Sequence, residues 1–187
     1  KRYVMVGTGQ LLDSSDINSA AAQSFYAVID GTATAFKPAD STMPVTRSSL
    51  TAVTDLVSGT VVPTSSPGWY LDLGTEGRIG LRLVASPTSF NGIVAFSSLL
   101  TSGDACSPSG QSRVYAIDFN TGRTALADGT AFAQYGTAIT DLKFVGVDGR
   151  VRLISGDVRG DLRNVGFTPP AGTALRLLNW REVPTAD

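Results

Sequence analysis

Asn91-Gly92-Ile93-Val94-Ala95-Phe96-Ser97-Ser98-Leu99-Leu100 carries the clearest local signal in this chain of 187 residues. The Ile-to-Leu run is short, apolar and bounded by turn residues. Asn-Gly supplies the two left-handed backbone positions that a tight hairpin turn needs. Upstream, Arg78 to Ala85 (RIGLRLVA) has a similar β-type character, so 78–85 and 93–100 are expected to flank the turn as a hairpin. A second hairpin is expected where Leu142–Gly146 and Val151–Ser155 flank Val147-Asp148-Gly149-Arg150.

Working outward, further strands are predicted at Tyr3–Gly7, Gln23–Asp30, Trp69–Leu73, Arg113–Phe119, Leu162–Phe167 and Ala174–Val183. The stretch Ser48–Val57 fits a strand or a turn of helix, and a small Ala-rich helical turn is expected through Ala22. Residues 32–47 read as a surface excursion, 57–67 as a Pro/Ser/Gly loop, and 102–111 as a polar loop holding Cys106. No long amphipathic helix is predicted. Roughly ten short strands with recurrent turns make the chain all-β, treated as a single region over residues 1–187. A strand ending in an acid or Asn before Gly recurs, at Val28-Ile29-Asp30-Gly31 and Ile117-Asp118-Phe119-Asn120-Thr121-Gly122. That rhythm favours several four-stranded antiparallel blades of a modified β-propeller, with a sandwich as runner-up.

Composition agrees with this class. Hydrophobic residues reach 42%, enough for a core, while charged residues are only 17% against about 25% in average soluble domains. The net charge of −1 offers no electrostatic basis for binding nucleic acid. The densest basic group, Arg150, Arg152, Arg159 and Arg163, is interrupted by Asp157 and Asp161 and reads as a solvated strand face. No run of apolar residues is long enough to span a membrane. The beginning Lys1-Arg2-Tyr3 and the polar tail Pro184-Thr185-Ala186-Asp187 suggest the C-terminal part of a longer protein.

The chain has no histidine, which removes Ser-His-Asp and Cys-His catalysis and histidine-ligated metals from within it. Cys106 is its single cysteine, so no intrachain disulfide can form. Ser107 and Ser109 lack a nearby base, and Lys1, Lys37 and Lys143 are the only lysines. Gly7-Thr8-Gly9 lacks the third glycine of a dinucleotide loop, since Leu12 stands there, and reads as a turn. Asp13, Asp16 and Asn18 share a polar loop without the alternating acids of a calcium loop, and are expected to cap turns. Trp69, Tyr70 and Trp180 are expected as packing anchors ahead of carbohydrate-stacking rings. No catalytic, cofactor-binding or metal-binding residue is therefore assigned, and an enzyme is not expected.

Several stretches together resemble one family. VGTGQLLDSSD followed by QSFYAVID (6–30), GWYLDL (68–73), SPTSFNGIVAFSSLLTSGDACSPSGQSRVYAIDFNTG (86–122), SGDVRGDLRNVGF (155–167) and the terminal NWREV follow, in order, motifs of type IV pilus proteins of the PilY/PilC type. The sequence departs from that pattern at Arg163, where the family carries Trp after Gly-Asn-Leu, and at Arg113. The resemblance implies the C-terminal blades of an exported propeller at the pilus tip or outer cell surface. There it would support pilus extension and adhesion by protein binding. Implied partners are minor pilins or other tip proteins, a host or abiotic surface, and the rest of the same protein. The family's calcium loop has no match here, so calcium is expected, if anywhere, elsewhere in the full protein. Two other readings are weighed: a purely structural segment that closes the propeller, and a fragment of a propeller enzyme.

Overall fold

The computed structural model describes residues 2–9, 14–30, 45–60, 62–63, 65–76, 79–103 and 108–171. In chain order the elements are β1 (Tyr3–Gly7), α1 (Ser14–Ile17), β2 (Ser24–Ile29), a 3-10 turn (Arg47–Ser49), β3 (Thr51–Ala52) and β4 (Gly68–Asp72). There follow β5 (Thr75–Glu76), β6 (Ile79–Gly80), β7 (Thr88–Phe90), β8 (Ile93–Gly103) and β9 (Pro108–Asp118). The last are β10 (Ala133–Tyr135), β11 (Ile139–Val147), β12 (Arg150–Asp157) and β13 (Leu162–Val165). Strands account for 50% of the structure and helix for 4%. The protein is all-β.

Three sheets form, each from one continuous portion of the chain. The first runs β1-β2-β4-β3, the second β10-β9-β8-β7 and the third β11-β12-β13, with β5 and β6 paired as a small ribbon. Neighbours are antiparallel except β3, which lies parallel to β4. The second sheet sits in the middle because its long strands are apolar on both faces. Val94, Phe96, Tyr115 and Ile117 point into a core shared with Phe25, Ala27, Trp69 and Leu71 of the first sheet. Ile93, Ala95, Val114 and Ala116 point the other way, into a core shared with Ile139, Leu142, Leu153 and Val165 of the third. Successive strand side chains alternate faces, so one apolar run builds two cores at once. Each fully buried aliphatic or aromatic side chain contributes roughly 1.5–3 kcal/mol.

Both expected turns are present, one with a different partner. Asn91 (φ 43) and Gly92 (φ 85) join β7 to β8, with Phe90 opposite Ile93. The strand upstream of the turn is Thr88–Phe90, not 78–85. Pro87 has no N–H to give a ladder, so pairing starts after it. The earlier stretch contributes Leu81 and Leu83 to the first core and meets the β8 ladder at an isolated bridge between Arg82 and Leu99. The second hairpin is as expected, with Val147 opposite Arg150 and Asp148 (φ 50) and Gly149 (φ 72) at its tip.

Two other expectations are corrected. Much of the polar stretch 102–111 is strand, since β8 and β9 stay in register out to Gly103 opposite Pro108. A backbone ladder does not require apolar side chains, and Ser/Gly composition hid it. The short helix lies at Ser14–Ile17, while Ala20–Ala22 belong to no helix or strand. Three alanines cannot meet the cost of nucleating a helix. The strands expected at Tyr3–Gly7, Gln23–Asp30, Trp69–Leu73, Arg113–Phe119 and Leu162–Phe167 are present with small shifts at their ends. The stretch 48–57 holds the end of the 3-10 turn and β3. The strand expected at 174–183 and most of the excursion at 32–47 lie outside the described residues.

Candidate functional site

Two polar constellations stand out from the apolar cores. The first surrounds Arg82, which lies on the face opposite Leu81 and Leu83 and yet is only 3% exposed. Its Nη1 donates to the carbonyl of Asp16, and Nη2 donates to the carbonyl of Ser19 at 3.0 Å. Thr101 Oγ1 donates to the carbonyl of Ile17 at 2.5 Å. Carbonyls at the end of a helix have no partners within it, and here two side chains from other elements supply them. A cleft of about 260 Å³ opens beside this knot, lined by Gly9, Asp16, Ser19, Ala21, Gln23 and Arg82.

The Gly7-Thr8-Gly9 turn forms one wall of that region. A side chain at Gly7 would place a Cβ 2.5 Å from Leu83 Cδ2, and one at Gly9 would lie 2.5 Å from Arg82 Cβ. Gly9 also has φ +126°, a conformation that side-chain-bearing residues avoid. These glycines let β1 leave its sheet against the 82–83 segment, and that close packing accounts for them. Asp16 is buried while Asn18 is exposed. Asp13, Cys106 and Ser107 lie outside the described residues, as do Lys1, Lys37 and Trp180. Ser109 lies on β9.

The second constellation covers the outer face of the first sheet. Arg47 Nη2 donates to both carboxylate oxygens of Asp72, each at 2.7 Å. Its Nη1 donates to Ser24 Oγ at 3.0 Å and to Tyr26 Oη at 2.8 Å. The guanidinium lies 3.9 Å from the centroid of the Tyr70 ring. Its hydrogen bonds hold the Asp72 carboxyl below the ordinary carboxylate range, against a smaller opposing effect of burial. Beside this polar knot the same face carries Val4 and Val6, 57% and 50% exposed, with Val28 opposite Val4 and Tyr26 opposite Val6.

The aromatic anchors divide accordingly. Trp69 is fully buried in the first core, whereas Tyr70 faces outward beneath Arg47. Nothing in the sequence marked Arg47 or Asp72, which are 25 residues apart and meet only through the fold. Arg82 carries no signal either, since alternation with the core residues Leu81 and Leu83 places it on the opposite face. Arg150, Arg152, Arg159 and Arg163 are all exposed, and Lys143 pairs with Asp141 at 3.3 Å. Among the described residues no three Cys, Asp or Glu side chains gather as a metal site would require. No helix among them is long and apolar enough to cross a membrane.

Comparison with known proteins adds no relative: no family model, curated protein or solved structure matches the chain. The arrangement of sheets and the residues themselves are what a functional reading can draw on.

Proposed function

We propose that this chain is a set of blades of a β-propeller in an exported type IV pilus protein, acting by binding at the pilus tip or cell surface. The observation that carries the propeller part is the order of the sheets. Residues 3–72, 88–135 and 139–165 each build one sheet, and the sheets stack in that same order. A Greek-key sandwich instead shares consecutive strands between two sheets. Sheet-by-sheet stacking along the chain is how radially repeated blades are made. The half-exposed valines on the outer face of the first sheet suit a surface that packs against another part of a longer protein.

The pilus assignment draws on the ordered motifs between Val6 and Phe167. Its mechanism is protein binding, with minor pilins or surface receptors as partners and with loops at the sheet ends presenting the contacts. Deleting this segment from its gene tests it, scored by pili sheared from the cell surface. Loss of surface pili, restored when retraction is also disabled, is the expected result. Normal pili, motility and attachment would overturn it.

A further inference from the structure

The outer face of the first sheet is built in rows. Strand side chains alternate between faces, and the β1–β2 register sets Val4 opposite Val28 and Val6 opposite Tyr26 on that face. One step before Val4 the ladder continues. Asp30 N donates to the carbonyl of Arg2 at 2.8 Å, and Arg2 Nε donates to Asp30 Oδ2 at 3.2 Å. One step after Val6, Thr8 Oγ1 accepts the N–H of Ser24 at 2.8 Å. Along the two strands the rows are therefore Arg–Asp, Val–Val, Val–Tyr and Thr–Ser.

This strip is open to solvent. Val4 and Val6 are both at least half exposed, and the Arg2 and Asp30 side chains are 78% and 47% exposed. Toward β4 the face is closed by Arg47, which lies over the Tyr70 ring and grips Asp72. What remains is two strands wide, apolar in its centre and polar at both ends. That is the layout of an interface core with its rim.

We propose that a second copy of this chain docks on the strip, about a two-fold axis running along the strands between β1 and β2. A two-fold contact must be self-complementary: if one residue meets another, the second meets the first. About this axis β1 of one copy lies over β2 of the other. Arg2 faces Asp30 of the second copy and Asp30 faces its Arg2, closing a ring of two cations and two anions. Val4 meets Val28 and Val6 meets Tyr26, each contact occurring twice. Neighbours within one ladder become neighbours across the interface, so every row finds its match. The Arg47–Asp72 knot, on the β4 side of β2, falls outside β1 of the other copy and leaves the approach clear. Another part of a longer protein would need its own sequence to match these rows. A second copy matches them by symmetry, and that selects it as the occupant.

Two strands about 4.8 Å apart and five residues long present a strip of roughly 10 by 17 Å. That is well below the about 800 Å² per partner of a stable interface. The pairing is accordingly reversible, with the valine rows supplying the attraction and the charged ring fixing the register.

The test is sedimentation equilibrium of the 187-residue chain from micromolar to millimolar concentration. A reversible monomer–dimer equilibrium is expected. Val6→Asp should weaken it at least about tenfold. Arg2→Asp and Asp30→Arg should each weaken it as well, because each sets like charges against one another in the ring. Mixing these two variants should restore the dimer, since the acids of one then face the arginines of the other, and misfolded chains would show no such recovery. A chain monomeric at every concentration, a dimer indifferent to Val6→Asp, or no recovery on mixing would each overturn the proposal. A monomer would leave this face to another part of a longer protein. Dimerisation of a chain whose deletion leaves pili normal would sink the pilus reading and leave this one standing.

Discussion

Phe25 of β2 lies flat on Phe96 of β8, with ring centroids 3.9 Å apart and planes 8° from parallel. The stack continues to Tyr115 on β9, 4.8 Å from Phe96, and both phenylalanines are fully buried. It ties the first sheet to the middle one through two of the largest buried side chains of that core, after Trp69. Truncating either ring should cost about 3–5 kcal/mol. In a double-mutant cycle by urea denaturation, Phe25→Ala and Phe96→Ala should couple by roughly 0.5–1.5 kcal/mol. Additive losses would mean that the two sheets do not pack through this pair.

Gly68 is a sharper test of how tightly β4 lies on β2. A Cβ there would collide with the carbonyl oxygen of Ala27, and the residue has φ +152°. Gly68→Ala should therefore destabilise by about 1–3 kcal/mol or more through overpacking, although alanine normally favours order over glycine. A variant as stable as the parent would show that β2 and β4 can separate without penalty.

Arg82 and Thr101 hold the end of α1 from outside it. Arg82→Met removes two charged donors and leaves the carbonyls of Asp16 and Ser19 without them, at a cost of about 2–3 kcal/mol. Amide exchange at Ser14–Ala22 should quicken more than in β11 and β12. Uniform quickening would indicate a general loss of stability and no specific role at α1.

Acid should weaken the fold and mild base should not. Among the described residues four carboxyls are held below their ordinary range. For Asp157, burial pushes the other way but is outweighed by Thr137, the N–H groups of Asp161 and Arg159, and the charge of Arg163. Arg47 does this for Asp72, the Ser58 backbone for Asp55 and the Thr130 backbone for Asp128. A depressed carboxyl stabilises above its unfolded value near 3.9 and loses that contribution as pH falls through the folded value. With no histidine to titrate, melting temperature should stay level between about pH 5 and 8 and drop below about pH 4. Asp157→Asn should flatten the acid limb while lowering stability at neutral pH. A steep change near pH 6.5 would contradict this assignment.

What the letters disclose and what they hide follows a physical line. Turn chemistry at Asn91-Gly92 and Asp148-Gly149 is local, so both hairpin tips could be read directly. The alternation of QSFYAVID and GWYLDL likewise gives β2 and β4. The strand upstream of β8 differs from the one the sequence predicts because ladder pairing depends on backbone N–H groups, and Pro87 interrupts them. The ends of β8 and β9 are not legible as strand because serine and glycine carry no outward sign of register. Arg47 with Asp72, and Arg82 with the end of α1, are meetings between distant chain segments that no spacing announces.

The two-sided middle sheet also sets how this part of the chain can change length. On β8, Ile93 and Ala95 belong to one core and Val94 and Phe96 to the other. One residue inserted early in that strand would reverse the parity of everything after it. The large Phe96 would then be aimed at the space shaped for Ala95 and Ala116. Substitutions that respect size are tolerable there, and so are paired insertions, but single-residue ones are not. In β8 it is odd and even, more than hydrophobicity, that selection has to guard.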